Sequence, residues 1–185
     1  MKAVMISIQP YWVFLIIAKA MGWEIDQHKE IEVRKNYPKA FDWNKVAKIY
    51  CSKDKKSFNK IPEKYRPAMK KFLGKVIGHF VCDGVDKFSV FENNTVQYWN
   101  YHNLEKSCLT YDEISNYIDK NKNGYAWHIS DLVIYDGPKE LSKFYHACKL
   151  PNGTDCSMCF DGGKTTCWSF IRPPQSWCYV EDKEN

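Results

Sequence analysis

The chain has 185 residues, enough for one domain with a full core. Its 44% hydrophobic and 16% aromatic content excludes an intrinsically disordered protein. A net charge of +5 permits anionic partners but is low for a dedicated duplex-DNA binder, and seven tryptophans, twelve tyrosines and ten phenylalanines suit both core packing and stacking on flat ligands.

Residues 3–8 are a short β-prone run, and residues 10 to about 20 read as a buried helix that ends near Gly22. The opening "MKAVMISIQPYWVFLIIAKA" imitates a secretory signal, with a basic start, an apolar middle and a small-x-small end. Gln9-Pro10 splits the apolar run, Pro10 suits the first turn of a helix, and residues 11–18 are too short to span a bilayer. The expectation is a cytoplasmic protein with no membrane partner and with reduced thiols.

A strand follows at about 30–35, closed by Tyr37-Pro38, and another at 45–50. Residues 53–71 then turn basic. Lys53, Lys55, Lys56, Lys60, Lys64, Arg66, Lys70 and Lys71 face only Asp54 and Glu63, as either a solvated loop or short helix, or a basic arm that touches phosphates. Residues 75–83 form a strand, which 84–91 extend or follow with a second. Thr110 and Glu113 have capping-box spacing and open a helix to about Ile118. Residues 121–124 (NKNG) read as a turn and 127–135 as an alternating strand. A short helix over 137–145 has Pro138 in its first turn, and the last strand lies at 175–180. Strands outnumber helices, so the expected class is α+β, a small mixed barrel flanked by helices.

Four of the eight cysteines fall within twenty residues as C-x7-C-x2-C-x7-C: Cys148, Cys156, Cys159 and Cys167. The central C-x-x-C lets two thiolates reach one ion, and the flanking pair can complete a tetrahedral, structural Zn2+ site with no open position. Two disulfides, or loop cysteines with no joint role, are the alternatives, and His146 is a weaker substitute ligand. The stretch 146–168 has too few large apolar residues to fold without a staple.

In "KEIEVRKNYP", strand alternation puts Glu30, Glu32 and Arg34 on one face and Lys29, Ile31, Val33 and Lys35 on the other. The acid-and-arginine face is either solvated or a ligand site.

The stretches "ISIQPYWVFLI" and "KEIEVRKNYP" resemble the start of an ASCH domain, a PUA-like fold marked by G-x-K-x-x-E-x-R after the first helix. Lys29, Glu32 and Arg34 match K-x-x-E-x-R; Gln27 stands in the glycine slot, and the loop before the strand is longer. "GKVIGHFVCD" is similar to the family's central strand. "GYAWHISDLVIYDGPKELSKF" and "RPPQSWCYVE" resemble the closing segments of a phage and Gram-positive subgroup with a cysteine-rich insertion. The resemblance implies a PUA-like domain over 1–145 plus 169–181, a zinc-knuckle-like insertion at 146–168 and a loose tail at 182–185.

It also implies non-covalent binding of RNA or a nucleotide-like ligand in a cleft between barrel and helix. Lys29, Glu32 and Arg34 would lie at its centre, with His128, Arg172, Gln175 and Trp177 as further ligand-binding candidates. A small branch of the family hydrolyses acetylated cytidine with a lysine, a threonine and a glutamate. In an amidohydrolase reading Lys29 and Glu32 would be catalytic, but no serine or threonine occurs from 21 to 38, and Glu32 occupies the threonine's region. A third reading, motivated by the phage association alone, is a protein that blocks or sequesters a host defence factor or its nucleotide signal.

Overall fold

Alternate residues of the first strand are apolar on both faces, which marks a strand covered on both sides. In the computed structural model, which describes residues 2–38, 46–91, 96–97, 102–119, 122–146 and 172–182, β1 (Lys2–Ile8) takes that central position. Its Val4, Ile6 and Ile8 enter one core with α1 (Pro10–Ile17), while Ala3 and Met5 enter another with Tyr50, Phe144 and Val180.

β1 runs parallel to β3 (Val46–Cys51) and antiparallel to β10 (Trp177–Asp182). β4 (Lys75–Val81), β8 (Ser130–Glu140) and β9 (Phe144–His146) complete a six-stranded sheet in the order β8-β4-β3-β1-β10-β9. A second sheet has the order β2-β7-β5-β6, from β2 (Ile31–Arg34), β7 (Asn123–His128), β5 (Val85–Val90) and β6 (Val96–Gln97). Ile31, Val33, Phe88 and Val90 of this sheet pack with Leu104 of α4 (His102–Ser107) and Ile114 of α5 (Tyr111–Tyr117). The class is the expected mixed α+β, curled sheets with a few helices.

Several elements depart from the sequence expectations. Residues 137–145 are not a helix: β8 runs on to Glu140, followed by a 3-10 turn (Leu141–Lys143) and β9. Pro138 is tolerated in β8 because β8 is an edge strand, and Pro138 falls where its pairing with β4 is interrupted, between Ile134↔Gly78 and Lys139↔Val76. The strand expected at 127–135 is two strands, β7 and β8. They break at Ile129, whose N–H donates to the Glu30 carbonyl, and Asp131 follows with φ +43°. Residues 84–91 supply a separate strand, β5. The basic stretch is ordered as α2 (Lys55–Phe58), a 3-10 turn (Glu63–Tyr65) and α3 (Arg66–Lys70).

Cys148, Cys156, Cys159 and Cys167, with the expected insertion at 146–168 apart from His146, lie outside the described residues. Of the described cysteines, Cys51 and Cys82 are buried and Cys108 and Cys178 half-buried, all outside any disulfide. Among the described residues no helix is long and apolar enough to cross a membrane.

Candidate functional site

β2 is short and buried along its length, unusual for a segment that reads Ile-Glu-Val-Arg. Ile31 and Val33 face the apolar layer beneath α4 and α5, so Glu32 and Arg34 are driven to the opposite side. There they meet. Arg34 Nη2 lies 3.0 Å from Glu32 Oε1, and the same nitrogen donates to the Ser7 carbonyl at 2.6 Å.

Lys29 joins them, contrary to the alternation expected from the sequence. β2 begins only at Ile31, so the backbone at Lys29 is not bound to the strand's two-residue period. The Lys29 N–H donates to the Leu15 carbonyl, and the Glu30 N–H to that of Lys106. Glu30 turns to the surface and pairs with Lys106 at 3.4 Å. The Lys29 ammonium stands 3.5 Å from Glu32 Oε2, donates to the Ser107 carbonyl at 2.6 Å and lies 5.1 Å from the centre of the Trp12 ring.

The resulting order is cation, acid, cation, all below a tenth exposed. Burial pushes the Lys29 pKa down, against the pull of Glu32 and the nearby Cys108 thiol, while Arg34 adds to the push. The Cys108 thiol is itself raised by burial, with Lys29 acting in the other direction. Burial, followed by Cys108 and Glu113, raises the Tyr11 hydroxyl.

These groups form the floor of a cleft of about 690 Å³, within the range of small-molecule sites, about 300–1,000 Å³. Its walls come from four places. The end of β1 and the start of α1 give Ser7, Gln9 and Trp12; Ser52 follows β3; α5 gives Glu113, Asn116 and Tyr117; the segment before β10 gives Pro173, Pro174 and Gln175. Three buried polar atoms in this lining have no hydrogen-bond partner, Ser7 Oγ, Ser52 Oγ and Arg34 Nε, and Glu32 Oε2 makes no hydrogen bond beyond its ion pair with Lys29. Buried polar groups left unpaired are costly, and a cleft that holds both orphan donors and orphan acceptors is suited to a polar ligand that pairs with them.

Of the seven residues expected to bind a ligand, Lys29, Glu32, Arg34 and Gln175 line this cleft. The other three are placed elsewhere. His128 Nε2 is 2.9 Å from Asp86 Oδ2, on the strand beyond β2. Trp177 donates from Nε1 to Asn36 Oδ1 at 2.7 Å and packs 6.5 Å from Trp127, which anchors the chain just after β2. Arg172 is exposed and outside the lining. Ser7, Ser52, Trp12, Glu113, Asn116 and Tyr117 were not anticipated. Only the Thr110–Glu113 box pointed toward α5, and nothing local marks Ser7 or Ser52, which are brought in by the pairing of β1 with β3.

The fold that carries this cleft, a mixed α+β arrangement of curled sheets with a few helices, is similar to that of an ASCH protein of known structure. The solved structure of ASCH from Zymomonas mobilis is similar over 97% of this chain and 87% of its own, with a TM-score of 0.53 and 14% identity. A mutant form of that Zymomonas mobilis protein also aligns, over 76% of this chain and 77% of its own, at 17% identity and a TM-score of 0.47. No protein-family model and no curated protein matches the chain.

Proposed function

We propose that the cleft binds RNA or a nucleotide-like ligand non-covalently. The observation that carries this reading is the set of cleft-lining polar atoms without a hydrogen-bond partner, the Arg34 Nε donor and the Ser7 and Ser52 hydroxyls, together with the Glu32 carboxylate beside them. A nucleobase edge offers donors and acceptors side by side, so it can satisfy both at once. Trp12 supplies an aromatic wall for stacking, and Lys29 and Arg34 keep the floor cationic. The ASCH resemblance of the sequence implies the same ligand class. The test is calorimetric titration of nucleoside monophosphates and short RNAs into the wild type, Gln175→Ala and Asn116→Ala. These two polar residues line the cleft without belonging to the buried floor, so they separate binding from folding. Binding by the wild type that weakens in both variants is expected; binding by none of the ligands would end the reading.

A second reading, hydrolysis of an amide on a modified nucleoside, is favoured by one observation. Lys29 is held below its usual pKa, and the buried Ser7 hydroxyl lies in the same lining although the sequence around Lys29 has none. A lysine of that kind gives up its proton more readily than an ordinary ammonium, with Glu32 beside it. Acetate release from acetylcytidine that persists in both Lys29→Ala and Ser7→Ala would remove them from any such chemistry.

We further propose that Cys148, Cys156, Cys159 and Cys167 hold a structural Zn2+. Four thiolates would fill its coordination, so the metal would brace the chain and take no part in reaction.

A further inference from the structure

The basic segment between β3 and β4 lies outside the cleft, yet it is joined to it. Residues 53–71 carry eight cations against two acids. All seven lysines are exposed, and among the described residues only Arg66 is paired with an acid, 3.3 Å from Glu63. The other acid, Asp54, is occupied at the start of α2, where it accepts from the Ser57 N–H at 2.6 Å. Among the described residues, no acid is paired with the lysines of this segment.

A short path of rings connects this charge to the cleft floor. Ser52, immediately before the segment, lines the cleft. The Tyr11 N–H donates to Ser57 Oγ at 3.0 Å, which holds α2 against the start of α1. The Lys60 ammonium stands 5.9 Å from the centre of the Tyr11 ring. The Tyr11 and Trp12 rings meet edge to face at 5.0 Å, and Trp12 reaches Lys29 inside the cleft. Cation, ring, ring, cation thus lead from the basic surface to the floor. A mononucleotide would use only the inner end. A single strand, with unstacked bases and a phosphate at each step, would use the whole path.

We propose that the ligand is a single-stranded polynucleotide, with one nucleotide in the cleft, the adjoining base on the Trp12–Tyr11 step and neighbouring phosphates on Lys60 and the α2 lysines. This rests on the nucleotide-binding reading of the cleft and extends it to a second subsite.

Fluorescence anisotropy of labelled single-stranded RNA and DNA of about ten nucleotides, with a nucleoside monophosphate as competitor, tests it. The strand should bind on the order of tenfold or more tighter than the monophosphate, with a log–log salt slope of about −0.7 per phosphate contact. Lys60→Glu should weaken strand binding on the order of tenfold and flatten the slope. Lys143→Glu makes the same charge change at an exposed lysine outside the segment and should do little. Preference for RNA would add a 2′-hydroxyl contact; equal binding of DNA would assign the affinity to bases and phosphates, and either agrees with the proposal. Equal affinity for strand and monophosphate, or equal losses in Lys60→Glu and Lys143→Glu, would overturn it while leaving the cleft reading intact. No binding of strand or monophosphate would overturn both.

Discussion

Arg34 and Glu32 face each other at 3.0 Å from alternate positions of one strand, each side chain only 8% exposed. A pair so placed gives little net stability when whole, because desolvation offsets attraction, but it is expensive to break. Glu32 is shared with Lys29 on its other oxygen.

The order of two truncations follows. Glu32→Ala leaves two buried cations without the acid between them and should cost about 3–5 kcal/mol. Arg34→Ala leaves Glu32 still facing Lys29 and should cost less. Urea unfolding followed by circular dichroism measures both, and a larger loss in Arg34→Ala would show that Glu32 does not bridge the cations.

Lys29 also gives the fold a defined alkaline response. Its pKa is lowered from the ordinary 10.5 by burial, so between the folded value and 10.5 the unfolded chain binds more protons. Stability must therefore rise with pH across that window. Cys51 and Cys178 work oppositely, since burial raises both from 9.0 to about 12, and stability is lost as pH climbs from 9.0 toward that value. Comparison with Lys29→Met cancels the thiol contribution. The wild type should gain on the variant as pH rises toward 10.5, and a constant difference would contradict a depressed lysine.

The sequence revealed this site unevenly. Lys29, Glu32 and Arg34 were legible because one motif holds them within six residues, yet alternation put Lys29 on the wrong face. It sits before the strand's first ladder residue, where a long side chain can reach back over the strand end. The capping box was legible because both partners lie in one turn. The opposite error at 137–145 arose because "GPKELSKFY" has helical composition, while the edge position that lets β8 absorb Pro138 depends on β4, some sixty residues earlier. Ser7 and Ser52 were invisible for the same reason, as each becomes part of a site only when β1 and β3 pair.

The zinc expectation is tested directly by elemental analysis of protein purified without added metal. About one zinc per chain should be found, and chelation should lower the melting temperature. Replacement of Cys156 and Cys159 together by serine should abolish the metal. Little metal together with disulfides in the purified protein would sink the assignment in favour of the bridged alternative.

The wall of the cleft opposite its floor depends on one helix start. Thr110 Oγ1 accepts from the Glu113 N–H at 3.2 Å, and Glu113 Oε2 accepts from the Thr110 N–H at 2.9 Å. This box opens α5, which carries Glu113, Asn116 and Tyr117 to the cleft and packs Ile114 beneath β2. Thr110→Ala removes the cap hydroxyl and should cost about 1 kcal/mol. A frayed first turn would also displace Glu113, so nucleotide affinity should fall with stability. Thr110→Ser keeps an oxygen in the same place and should restore both. Recovery of stability without recovery of binding would separate the cap from the cleft, and assign Thr110 to the fold alone.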